Sequence, residues 1–266
     1  METEEHKVPL STGDLSYYHA GEGPPVLYLH PAGGVNWTRV LKELSRSRSL
    51  YVPVVPGFDG TQAHRGVKSM RALARLIGEF VGKAVGRACD VVGCSFGGYL
   101  ALWLAAEWPG LVDHLVLECP AGFRAKGEGE RPIDVAALQK LLYLYPQRLG
   151  HVKPVELLAA NRRTMASYGA ASDTDEELFA RLPEIDKLTL ILQGTGDRLV
   201  PKESVQLLKR RLPHSYLVYV WDAAHAIEVD QPERTLEVLQ GFLDRSEGFM
   251  VNWGTLALDA GASRGT

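Results

Sequence analysis

Four short apolar runs constrain this chain more than anything else in it: "PPVLYLH" (24–30), "CDVVGC" (89–94), "VDHLVLECP" (112–120) and "LTLILQG" (188–194). Each has the length of a strand rather than of a helix, and each ends in a glycine, a proline or a turn. Helical periodicity lies between them. Residues 68–87 carry Met70, Leu73, Leu76, Ile77, Phe80, Val81 and Val85 at helical spacing. Continuously apolar strands alternating with amphipathic helices predict an α/β fold, with a mostly parallel central sheet flanked by helices on both faces. Two further strands are expected within 7–20, around a Thr-Gly-Asp turn, and another at 215–221. The run "LYVPVVPGF" is strand-like, with Pro53 marking a strand start or a bulge. Helices are expected at 37–45, 202–212 and 232–245.

The rhythm breaks after Pro120. Residues 121–186 read as mostly helical and interrupt the alternation, so they are expected to form an inserted helical cap. The core is then 1–120 and 187–245, and 246–266 is expected to be a frayed tail. A chain of 266 residues, 45% hydrophobic, is long enough for one large domain carrying such an insertion.

Charge excludes several partners. The formal net charge is -3 with acidic and basic residues interspersed, so no basic face suits nucleic acid or an anionic membrane. The N-terminus is polar, and no apolar run is long enough to span a bilayer. Cys89, Cys94 and Cys119 are odd in number, lack metal-ligand spacing and sit in or beside apolar runs. They are expected to be reduced, buried thiols of a cytoplasmic protein that needs no metal or cofactor.

The chemistry is carried by "VVGCSFGGYLAL" (91–102), where a strand gives way to a helix through Gly-x-Ser-x-Gly. Such a turn strains the serine and lifts its hydroxyl above the sheet. It also places Ser95 at a helix N-terminus, where developing negative charge is favoured. A serine nucleophile needs a base. Of eight histidines, His225 follows a strand at its C-terminal end, where open α/β sheets keep their sites. The base needs an orienting carboxylate. Asp197, in the Gly-rich turn after "LTLILQG", is favoured. Glu118, at the end of a neighbouring strand, is the rival, and Asp222 reads as a cap of its own loop. The oxyanion formed in acyl transfer needs backbone N–H donors. Phe96 is one. In "His30-Pro31-Ala32-Gly33-Gly34" the other is Ala32, because proline has no N–H. His30 reads as an organiser of that loop. Trp37, Tyr143 and Tyr168 are candidates to line a substrate pocket.

The motifs "HPAGG", "PGFDGT", "GCSFGG", "GTGDRLVP" and "AAHAIEVDQPE", in that order over roughly residues 8–245, resemble the α/β-hydrolase fold family. The likeness is closest to small capped serine hydrolases of the esterase, lactonase and C–C hydrolase type. It implies a Ser95-Asp197-His225 triad acting on a small ester-like substrate with water. C–C hydrolases usually carry an asparagine before the nucleophile and a tryptophan after the histidine; here those places are Cys94 and Ala226. That ranks the C–C branch below ester hydrolysis. Lactone hydrolysis, acyl transfer and a non-catalytic hydrolase-like receptor are the remaining alternatives.

Overall fold

The computed structural model describes residues 3–124, 134–170, 174–246 and 248. In chain order the elements are β1 (Glu4–Leu10), β2 (Gly13–Ala20), β3 (Pro25–Leu29), α1 (Arg39–Leu44), β4 (Ser49–Pro53), α2 (Met70–Phe80), β5 (Cys89–Cys94), α3 (Phe96–Glu107) and β6 (Val112–Glu118). Then come α4 (Val135–Leu142), α5 (Val155–Ser167), α6 (Glu176–Arg181), β7 (Thr189–Gly194), α7 (Lys202–Arg211), β8 (Ser215–Val220), α8 (Ile227–Asp230) and α9 (Pro232–Arg245).

The strands form one eight-stranded sheet, ordered β1-β2-β4-β3-β5-β6-β7-β8. β1 and β2 pair antiparallel, as do β2 and β4; every other pairing is parallel. β5 and β7 are buried along their whole length, as parallel strands covered on both faces must be. The crossover helices cover both faces of the sheet, as a parallel sheet requires; α2 packs on α3, and α1 on α9. The mostly parallel α/β architecture expected from the alternation is the one that forms.

Three local expectations change. The helix expected over 68–87 is α-helical only to Phe80; its last turn, Val81–Val85, widens to π geometry. Gly86 causes this: it sits at φ +76 and its N–H reaches back five residues to the Val81 carbonyl. Pro53 ends β4 instead of starting it. β3 pairs with β4 only as far as Tyr51, so the missing N–H costs that ladder nothing. The short α8 between His225 and Pro232 was not anticipated.

α4, α5 and α6 lie between β6 and β7; α4 and α5 are bonded to the loops after β3, β4 and β8, and α6 packs along α3. α6 is anchored by Asp175, its N-cap, which also accepts hydrogen bonds from Tyr99 and Trp103 of α3. α3 is therefore buried nearly all round. Residues 125–133 and 171–173 of the expected cap, and the expected tail beyond 248, lie outside the described residues.

Candidate active site

The site is assembled from loops at the C-terminal ends of β3, β5, β7 and β8. Ser95 follows β5 at φ 54 and ψ -110, a conformation that L-residues rarely adopt. The backbone on both sides holds it there. Ser95 N–H donates to the Glu118 carbonyl at 2.8 Å, and the Ser95 carbonyl accepts from Ala121 at 3.0 Å. The turn needs glycine because the chain comes so close to its neighbour. A Cβ on Gly97 would lie 1.9 Å from the Leu29 carbonyl oxygen. Phe96 is the first residue of α3, so its N–H has no intrahelical acceptor.

Asp197 and His225 meet from adjacent strands. His225 Nδ1 lies 2.8 Å from Asp197 Oδ2, both side chains being buried. The Asp197 carboxylate also accepts from Gln193 Nε2 at 3.1 Å and from the N–H groups of Leu199 at 2.8 Å and Val200 at 3.0 Å. Burial alone would raise its pKa, but the His225 ring and these hydrogen bonds outweigh burial and hold it below the ordinary value. A carboxylate can only accept here, so Nδ1 is the donor and Nε2 is left as the basic nitrogen. The β7 end must pass very close to the histidine loop: a Cβ on Gly194 would lie 2.0 Å from the Ala224 carbonyl oxygen. Among the described residues, Ser95 and His225 are not hydrogen-bonded to each other. Catalytic contacts of this kind often tighten only with substrate bound.

The loop after β3 is held by His30, which is fully buried. Its Nε2 accepts the Val55 N–H at 3.1 Å, so Nδ1 donates to the Pro31 carbonyl at 2.8 Å. The expectation from sequence had the ring holding carbonyls; it holds one carbonyl and one N–H. Burial pulls its pKa down to about 4, keeping the ring neutral. A turn closed by Gly34 N–H on the Pro31 carbonyl then carries Ala32, whose N–H has no protein acceptor among the described residues. The Gly33 carbonyl is drawn away by Asn161 Nδ2 and Lys153 Nζ, both at 3.1 Å.

Glu118 does not approach His225 as a partner. It sits with Tyr28 and Cys94 on the sheet face opposite α3, because register places these positions on one side. There it meets Glu228 of α8. No hydrogen bond reaches either Glu118 oxygen, while Tyr28 donates to Glu228 Oε2 at 3.3 Å. Burial and the neighbouring Glu228 carboxyl push Glu118 well above the usual carboxylate range, and burial pushes Glu228 up to about 7. Asp222, at φ 58, is engaged by Tyr145 and Gln231.

Tyr143 is half-buried at the end of α4, and its hydroxyl makes no hydrogen bond among the described residues. Trp37 is half-buried beside the loop after β3, with its ring edge-on to Tyr18. Tyr168 is buried and its hydroxyl donates to the Pro56 carbonyl at 2.7 Å, so it ties α5 to the core instead of offering that hydroxyl to a ligand. Sequence reasoning passed over Asp59, Asn161, Lys153 and Asp230, whose hydrogen bonds join the inserted helices to both loops of the site.

Cys119 Sγ, Asp197 and His225 bring ligand-type atoms within 4.8 Å of one another. Burial pushes the Cys119 thiol well up, so it is held as the neutral thiol, a poor metal ligand, and the other two groups are committed to each other. All three cysteines are free and buried. No helix of the described residues is long and apolar enough to cross a membrane.

The model of the alpha/beta hydrolase family matches residues 26–238. A 2-hydroxy-6-oxo-2,4-heptadienoate hydrolase of Pseudomonas putida is 29% identical, the match covering 86% of this chain and 92% of the relative. A pimeloyl-[acyl-carrier protein] methyl ester esterase of Aeromonas hydrophila is 27% identical over 86% of this chain and 99% of its own length. Among solved structures, a serine hydrolase of the bacterium Cycloclasticus zankles superposes with a TM-score of 0.76 at 15% identity, covering 91% of this chain and 98% of the other, a likeness of fold. The relatives include esterases, lipases and C–C hydrolases, which supports hydrolase activity here. With its eight-stranded sheet and this match over most of its length, the chain belongs to the alpha/beta hydrolase family.

Proposed function

We propose that the protein is a serine hydrolase that cleaves a carboxylic ester of a small molecule through an acyl-enzyme. The observation that carries this reading is the 2.8 Å contact between His225 Nδ1 and Asp197 Oδ2, on the same sheet edge as the strained Ser95. Ser95 Oγ attacks the ester carbonyl carbon while His225 Nε2 takes its proton. Asp197 holds the ring in the tautomer that leaves Nε2 basic and stabilises the imidazolium. The Ala32 and Phe96 N–H groups receive the negative oxygen. The imidazolium then protonates the departing alcohol. Water, deprotonated by the same nitrogen, releases the acid and restores Ser95.

α4 and α5 act as a cap over this site. Trp37 and Tyr143 are the substrate-facing aromatics, and Tyr168 supports the cap through Pro56. Similarity to a methyl ester esterase and a lipase supports a small acyl ester as the substrate class.

C–C bond hydrolysis is the second reading, favoured by the similarity to the Pseudomonas putida relative. A panel of nitrophenyl esters beside a 2-hydroxy-6-oxo-dienoate, run on wild type and Ser95→Ala, separates the two. Ester turnover with a burst that Ser95→Ala abolishes supports esterase action. Turnover of the dienoate alone assigns the second reading, and turnover of neither removes both.

A further inference from the structure

Asp230 lies five residues beyond His225, and its side chain is fully buried. A carboxyl group in that position is costly unless its oxygens are satisfied. Here they are satisfied from two directions. From the inserted segment, Leu144 N–H donates to both oxygens at 3.0 Å and Tyr145 N–H to Oδ1 at 2.9 Å. From the histidine loop, Ala224 N–H donates to Oδ2 at 2.8 Å. Ala226, on the other side of His225, donates its N–H to the Leu142 carbonyl at 2.8 Å. Both residues adjoining His225 are thus bonded to a group that is also bonded to, or belongs to, residues 142–145. Tyr143 lies between those attachment points. Arg148 adds a bond to the Asp230 carbonyl, and Tyr145 Oη one to Asp222 Oδ2 at 2.7 Å.

We infer that Asp230 is a positioning residue that sets the placement of His225 against Tyr143, so that the catalytic base and the polar group offered by the inserted segment move as one unit. This rests on the reading of His225 as the base. The residue touches no reacting atom. It acts by fixing the peptides on which His225 and Tyr143 ride. The Tyr143 hydroxyl, unspent among the described residues, is the donor presented to the substrate. Burial, with Cys94 and Asp230 nearby, pushes its pKa up to about 12, so the proton it donates stays on it. A segment tied at both flanks of the base does not swing clear in each turnover; substrate enters past it.

Asp230→Asn keeps the shape and removes the second accepting oxygen. The expected result is a folded protein whose kcat for a nitrophenyl ester falls roughly 10- to 100-fold while KM changes less than threefold, the size expected of a misplaced catalytic group. The downfield His225 Nδ1–H proton resonance broadens or shifts, and the Ala224, Leu144 and Tyr145 amides lose exchange protection together. Leu144→Pro deletes a donor from the segment's side and reads the same coupling should Asp230→Asn not fold. Tyr143 already has the extended conformation (φ -128, ψ 134) that a following proline requires. The inference is overturned if the folded variant keeps kcat within twofold and leaves the His225 resonance unchanged. If the wild type hydrolyses no ester, the esterase reading fails separately, and the resonance and amide exchange still decide the role of Asp230.

Discussion

Asp59 and Asn161 exchange hydrogen bonds in both directions: the Asp59 N–H donates to Asn161 Oδ1 at 2.9 Å, and Asn161 Nδ2 donates to Asp59 Oδ1 at 3.0 Å. Asp59 belongs to the loop after β4 and Asn161 to α5. Around this pair the loop after β3 is fixed, since Asp59 Oδ2 accepts the Val35 N–H at 2.7 Å and Lys153 Nζ reaches Asp59 Oδ1 at 2.5 Å. Burial would raise the Asp59 carboxyl, but Lys153 and Asn161 hold it below its ordinary value.

Asn161→Ala is therefore expected to loosen the Gly33 carbonyl and with it the Ala32 N–H. Loss of a whole oxyanion donor costs about 100- to 1,000-fold in kcat; displacement of one costs less, about tenfold. Steady-state kinetics on a nitrophenyl ester check this, with KM changing little. An unchanged kcat would mean that the loop holds its shape without α5.

Asp197→Asn keeps the volume but lets the side chain donate to His225, which favours the wrong ring tautomer. kcat is expected to fall about 10,000-fold. Glu118→Gln should leave kcat within a fewfold, because its carboxyl lies on the other face of the sheet and Asp197 already occupies His225 Nδ1. A larger loss in the Glu118 variant than in the Asp197 variant would reverse the assignment of the acid.

The Glu118–Glu228 pair gives stability a definite pH dependence. Glu228 is raised from 4.5 to about 7 and Glu118 well above its ordinary value. The folded state therefore binds more protons than the unfolded chain above pH 4.5. The contribution is complete below 4.5 and is lost as pH rises through about 7 and beyond. Glu118→Gln removes one of the two titrating carboxyl groups and is expected to stabilise the protein at pH 8 by about 1–3 kcal/mol, with a smaller difference at pH 5. Urea unfolding at the two pH values measures it. An equal difference at both would show that the pair does not titrate.

His30 works in the opposite direction. Its folded value, about 4, lies below the ordinary 6.5, so its contribution is present above 6.5 and is lost as pH falls through about 4. Imidazole carbon shifts should show this ring neutral until the pH nears 4. Titration of His30 near 6.5 would contradict the buried, singly protonated ring that shapes the loop after β3.

What the sequence discloses here is local. The apolar runs and their helical spacers are patterns of neighbours in the chain, and so is the strained turn at Ser95. His225 and Asp197 could be chosen because strand ends in an open parallel sheet share one edge. Asp230 and Asn161 carry no such mark. Their partners, residues 144 and 145 in one case and 33 and 59 in the other, are far away in the chain, and an acidic or amide side chain in a helix usually faces water. Tyr168 shows the converse. Its aromatic character suggested a pocket, but its hydroxyl is spent on Pro56. The π turn at Val81–Val85 was hidden because its apolar spacing fits an α-helix, and only Gly86 signals where that helix must end.

The central claim is that Ser95 is a nucleophile activated by His225. Its most direct measurement is covalent labelling by a fluorophosphonate probe, read by peptide mass spectrometry in wild type and His225→Ala. The account predicts one label per chain on the peptide containing Ser95 in the wild type, and labelling at least about 100-fold slower without the base. A label on another residue, or equal labelling rates in the two proteins, would contradict it.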